Sequence, residues 1–155
     1  MSAPTDHPTE ALADREIVST RVFDAPHERV FRAFSDPSLL VRWWGPKDFT
    51  NMFHEFDLRP GGAWRFIMHG PDGTDYQTAK EFIEVVRPER IVLQHPDPLH
   101  RFQMTMTFAE EAGTTRLTWR MLFESAAEFE QVRAFIPAVN EQNFDRLEAQ
   151  LATMA

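Results

Sequence analysis

What most constrains this chain is a mismatch between the apolar surface it must cover and the means it has to cover it. From Phe49 to Phe123 apolar and polar residues alternate at period two, the mark of half-buried strands. Only one large amphipathic helix remains, from Ser125 to Met154. A sheet with one strongly apolar face must bury that face, so the strands are expected to curl around this helix. The predicted class is α+β: a curved antiparallel sheet of about six or seven strands wrapped around a long C-terminal helix. Two short helices are expected between the first and second strands.

The order of elements follows from local signals. Ile17 to Phe23 is β-branched and reads as the first strand. Ala25-Pro26 ends it, and His27, Val30, Phe31 and Phe34 then share a helical face. Asp36-Pro37 starts a second short helix as N-cap and first residue, carrying Leu39, Leu40, Trp43 and Trp44 up to Gly45-Pro46. Being adjacent on a helix, Trp43 and Trp44 are not expected both to face inward. Strands follow at Phe49 to Leu58, Trp64 to His69, Asp75 to Val86, Ile91 to His95, Phe102 to Phe108 and Thr114 to Phe123. Their connections are short, among them the Gly70-Pro71-Asp72-Gly73 turn, as in an antiparallel meander. Gly61-Gly62 lacks phosphate-loop spacing and reads as a tight strand turn.

In the final helix Ser125 and Glu128 form a capping box, and Phe129, Val132, Ile136, Val139, Leu147, Leu151 and Met154 make one apolar face. Asn140 and Asn143 interrupt it. An unpaired amide there would cost about 1–3 kcal/mol, so each needs a partner. That partner is a bound ligand, a trapped water, a neighbouring strand, or a carbonyl freed at a kink by Pro137. A helix fills only part of a concave sheet, and the hollow left over is a natural small-molecule site. The expected ligand-binding set is Trp44, Trp64, Phe66, Met68, Tyr76, Met104, Met106, Trp119, Met121, Ile136, Asn140 and Asn143. Taken one by one, its aromatic and methionine rows are ordinary core.

At 155 residues the chain is expected to be one domain over 16–155, after a disordered lead-in over 1–15 that lacks an apolar stretch. There is no cysteine, which rules out disulfides and thiol nucleophiles and suits the cytoplasm. A net charge of -8 without a basic stripe argues against nucleic acid as a partner. No membrane insertion, metal or cofactor is expected. The histidines lack ligand spacing and read as surface residues, and no Gly-x-Ser-x-Gly or His-Glu-x-x-His motif occurs. No catalytic residue is assigned. Glu55, His54, Tyr76 and His95 are the candidate acids and bases, and Asp57 and Arg59 read as a structural ion pair.

The ordered chain resembles a known family. Thr20-Arg21, Ala25-Pro26, Val30-Phe31, Asp36-Pro37, Trp43-Trp44-Gly45-Pro46 and Asp57-Leu58-Arg59-Pro60-Gly61-Gly62 carry the likeness, with Gly70-Pro71-Asp72-Gly73, Pro88-Glu89-Arg90 and Asp145-Arg146-Leu147. Together they resemble the START-like (SRPBCC) superfamily, in the branch named for the activator of the heat-shock protein 90 ATPase. The resemblance implies a helix-grip fold with a hydrophobic cavity between sheet and long helix. It is compatible with lipid carriers, receptors, cyclases and chaperone regulators alike. Many relatives have Gly-Trp near Asn140-Glu141, and Gly where this chain has Lys80. Because the eukaryotic chaperone activator adds a separate N-terminal domain, full chaperone activation is not expected here. The leading expectation is a non-enzymatic protein binding a small hydrophobic or aromatic molecule, lipids included. A cyclase, dehydratase or hydrolase using the same cavity is the rival. A chaperone-linked interaction module is the third class, with a chaperone or a second copy of the chain as partner.

Overall fold

β1 (Glu16–Phe23) alternates strictly, so Ile17, Ser19 and Phe23 point inward while Val18, Thr20 and Val22 face solvent. The computed structural model describes residues 15–96 and 101–154. The expected lead-in lies outside them except for Arg15, as do residues 97–100. α1 (His27–Ser35) buries Val30, Phe31, Ala33 and Phe34. α2 (Pro37–Trp43) begins as the Asp36-Pro37 pair predicts: the Asp36 carboxylate accepts from the Ser38 amide at 3.0 Å and hydroxyl at 2.7 Å.

Six further strands follow: β2 (Thr50–Phe56), β3 (Ala63–His69), β4 (Asp75–Val86), β5 (Arg90–His95), β6 (Phe102–Glu111) and β7 (Thr114–Phe123). All pair antiparallel in the order β1-β7-β6-β5-β4-β3-β2. The first strand thus lies beside the last, and β2 forms the far edge. α3 (Ala126–Val132) and α4 (Ile136–Ala152) complete the chain, with α4 crossing the concave face. This is the expected helix-grip arrangement, with seven strands.

The glycine pair ends the β2–β3 connection as a tight turn. The Gly61 amide donates to the Phe82 carbonyl at 2.8 Å, and the Phe82 amide to the Gly62 carbonyl at 2.9 Å, stitching the turn into β4. A Cβ on Gly62 would collide with the Asp57 carbonyl oxygen, so a side chain is excluded.

Two local expectations are corrected. The C-terminal helix is not continuous. Ser125 caps α3 through the Glu128 amide at 3.2 Å, but the helix ends at Val132, and α4 restarts at Ile136 with Pro137 in its first turn. Pro137 therefore sits where its missing N–H has no intrahelical partner to lose, and no kink frees a carbonyl within α4. Trp43 and Trp44 are both buried. Trp44 is the C-cap of α2 with extended backbone (φ -66, ψ 136), so its side chain has left the helical screw and turns inward independently of Trp43.

Inward-facing residues of neighbouring strands line up in cross-strand rows. One row runs Phe82, Leu93, Met104, Met121 and Ile17; the next runs Ile91, Met106, Trp119 and Ser19. Phe144, Leu147 and Leu151 of α4 close over them. Burying each large apolar side chain stabilises by about 1.5–3 kcal/mol.

Candidate functional site

The four tryptophans converge where α2 ends against the sheet. The Trp44 ring centre lies 5.0 Å from that of Trp64, 5.5 Å from Trp119 and 5.7 Å from Trp43. Phe66 stacks on Trp64 at 4.5 Å, and Phe144 meets Trp119 edge-on at 4.8 Å. Trp43 donates its indole N–H to the Ala33 carbonyl at 3.0 Å. The indole N–H groups of Trp64 and Trp119 are buried with no acceptor among the described residues. Beside Trp44 and Trp64, between Phe56, Phe82, Leu93 and Met106, a void of about 10 Å³ remains, room for one water at most. The expected hollow is therefore filled by rings.

Both asparagines are buried and bonded within the protein. Asn140 Nδ2 donates to the Ser19 hydroxyl at 3.1 Å and approaches Met121 Sδ at 3.6 Å; Asn143 Nδ2 donates to the Trp43 carbonyl at 3.2 Å. Of the partners the sequence left open, a neighbouring strand accounts for Asn140. The exposed carbonyl end of α2 accounts for Asn143.

The expected site residues separate by position. Trp44, Trp64, Phe66, Met104, Met106, Trp119 and Met121 are buried in the core beneath α4. Met68 and Ile136 pack at its margin. Tyr76 stands apart, 46 % exposed with its ring 6.0 Å from Phe49.

Several motif residues form a clamp rather than a site. Arg146 Nη1 donates to the carbonyls of Trp44, Gly45 and Pro46 at 3.1, 3.1 and 2.9 Å, and Nη2 to that of Arg42 at 3.1 Å. The cation thereby caps the negative end of α2. Across α4, Arg21 pairs with Glu141 at 2.7 Å and Asp145 at 2.9 Å. Thr20-Arg21, Trp43-Trp44-Gly45-Pro46 and Asp145-Arg146-Leu147 are thus distant in sequence but joined around α4.

Sequence reasoning missed Lys80 as a site residue. It is directly cross-strand from Trp64 on β3, on the same inward parity as Phe82. It is 7 % exposed, and burial pushes its pKa down to about 8. Nζ lies 3.3 Å from His95 Nδ1 and 5.3 Å from the centre of the Phe102 ring, and it makes no ion pair among the described residues. His95 is half-buried and stacked on Phe102 at 4.9 Å, so it is not the surface histidine expected. The missed signal was parity: a lysine in register with the inward residues of a strand. A buried amine of this kind can hold an anion or, when neutral, accept a proton.

The other candidate acids and bases are engaged at the surface or stand in a groove. Glu55 faces Arg65 at 3.4 Å, and His54 borders a groove with Arg65 and Gln77. Asp57 and Arg59 form the expected exposed ion pair at 2.8 Å. No group of acidic or histidine side chains suited to a metal occurs among the described residues. None of their helices is long and apolar enough to cross a membrane.

Comparison with known proteins agrees with this architecture. No curated protein matches the chain. Among solved structures, protein Ms6760 from Mycobacterium smegmatis superposes with a TM-score of 0.81 at 26% identity, covering 98% of this chain and 99% of that one. An Arthrobacter aurescens protein gives 0.85 at 23% identity over 95% and 91%. The AHSA1 protein of Silicibacter pomeroyi gives 0.74 at 19% identity over 90% and 99%. The family profile described as "Activator of Hsp90 ATPase homolog 1-like protein" matches residues 24–153. Because that match takes in α1, α2, β2 to β7 and α4 together, the chain belongs to the activator of Hsp90 ATPase homolog 1-like family.

Proposed function

We propose that this protein is a non-enzymatic binder of a small hydrophobic or aromatic molecule, lipids included, held between the sheet and α4. The observation that carries the reading is the pair of buried indole N–H groups, on Trp64 and Trp119, that find no acceptor among the described residues. Each costs about 1–3 kcal/mol while unmet, and a ligand with an oxygen acceptor would relieve it. The surrounding methionines, Met104, Met106 and Met121, are flexible enough to yield to ligands of varied shape. Entry requires the interior to open. The loosest cover is the α3–α4 corner, where α3 buries only Val132 and Phe135 is 51 % exposed. A cytoplasmic setting suits the cysteine-free chain.

One observation favours a second reading. The closed interior, with both asparagines bonded inside the protein, equally suits an interaction module whose partner is a chaperone or a second copy of the chain.

A panel of apolar molecules, naphthyl methyl ketone, flavone and decanamide, separates the two when read by thermal shift and tryptophan fluorescence. Binding at saturation should raise Tm by about 5 °C or more and change the emission of the buried tryptophans. An unchanged Tm and spectrum across the panel would remove the binding reading and leave the interaction module.

A further inference from the structure

The described residues hold one buried cation that the fold itself does not explain. Of the chain's sixteen Lys and Arg residues only Lys47 and Lys80 are lysines, and Lys80 is the buried one. Elsewhere arginines do the structural work, as Arg21 and Arg146 show. An ammonium taken out of water loses several kcal/mol of hydration unless a counter-ion replaces it. Among the described residues Lys80 has only the His95 ring nitrogen and the face of Phe102.

Its position is as informative as its burial. Directly opposite on β3 is Trp64, whose indole N–H has no acceptor among the described residues, and opposed residues of an antiparallel pair project from the same face. A charged donor and a neutral donor are therefore neighbours on the inner surface. They lie at the head of a row that continues through His95, Phe102 and Phe123, and the chain enters α3 just beyond. An ammonium without a carboxylate and an indole N–H without an acceptor among the described residues call for an acceptor carrying negative charge, and the apolar rows beside them call for a hydrocarbon or aromatic body.

We propose that Lys80 is the anchor for the acid group of the bound molecule, which is accordingly an apolar monocarboxylic acid, its carboxylate held by the Lys80 ammonium with Trp64 as the adjoining donor. This deepens the binding reading above and rests on it.

The test compares decanoic acid with decanamide, two probes of nearly equal shape that differ in charge, on the wild type and on Lys80→Met. The variant keeps side-chain length and removes the charge. Calorimetric titration of the wild type should show the acid bound about tenfold or more tightly than the amide. In Lys80→Met that preference should vanish while amide affinity is retained. With only two lysines, protein labelled with carbon-13 at lysine Cε gives two resonances, and that of Lys80 should move on adding the acid and not the amide. An acid preference that survives in Lys80→Met, or a Lys80 resonance unmoved by bound acid, overturns the proposal. Equal binding of acid and amide by the wild type also overturns it but leaves the binding reading standing. Binding of neither removes both.

Discussion

At the scale of single residues, burial and bonding divide the polar core into groups the fold uses and groups it tolerates. Asn143, Asn140 and Trp43 each meet a protein partner. Lys80 is tolerated at a cost, and that cost has a sign in pH. Its pKa is lowered from 10.5 to about 8 in the fold. Below pH 8 folded and unfolded chains both hold the proton, and the fold bears the full cost of a buried charge. Between about 8 and 10.5 the unfolded chain keeps a proton that the folded chain has released, so stability rises with pH, by about 3 kcal/mol at most. Lys80→Met should therefore be more stable than the wild type at pH 7, by about 1–3 kcal/mol. Its advantage should shrink as pH climbs from 8 to 10. Urea midpoints at several pH values read this directly, and a variant less stable at pH 7 would mean that the ammonium has a stabilising partner.

At the scale of elements, the contact that decides how α2 meets α4 is the Arg146 clamp. Charge-assisted hydrogen bonds contribute more than neutral ones, so Arg146→Met should destabilise by about 2–3 kcal/mol. Arg146→Lys should recover only part, because a single ammonium cannot match the planar fork. A change in urea midpoint indistinguishable from that of an exposed arginine such as Arg59 would contradict this. The elements themselves were legible in sequence because their signals are local: strand alternation, Asp36-Pro37, the Ser125 cap, the Gly70–Gly73 turn. The break between α3 and α4 was not, since an apolar face at helical spacing runs across it and hides the change of direction. The inward turn of Trp44 depends on where α2 stops, and a one-residue difference at a helix end redirects a side chain. Lys80 was legible by strand parity but masked by its type. The set beneath α4 could be anticipated from its rows, yet their packing into a void of about 10 Å³ depends on side-chain placement that no periodicity specifies.

At the scale of the whole molecule, the sheet is completed only when its first and last strands meet: β1 pairs with β7, and α4 lies against β1 and α2. Long-range pairing of this kind slows folding, to milliseconds or longer in typical sheet-rich domains. It also makes α4 indispensable. A chain ending at Glu124 should contain every strand yet show no cooperative unfolding, because the apolar rows around Trp119 and Met106 would face water. Size exclusion and binding of a dye specific for exposed apolar surface would detect the resulting association. A monomeric, cooperatively unfolding fragment would show that the sheet suffices.

The placement of α4 after every strand has a further consequence during synthesis. A ribosome makes the sheet before the segment that shields it, so the inner face is complete in sequence but bare until α4 has been translated. Folding of the sheet thus waits for translation of α4 and is not finished with that of the last strand. Until then the nascent chain presents an apolar surface that other proteins must either bind or avoid.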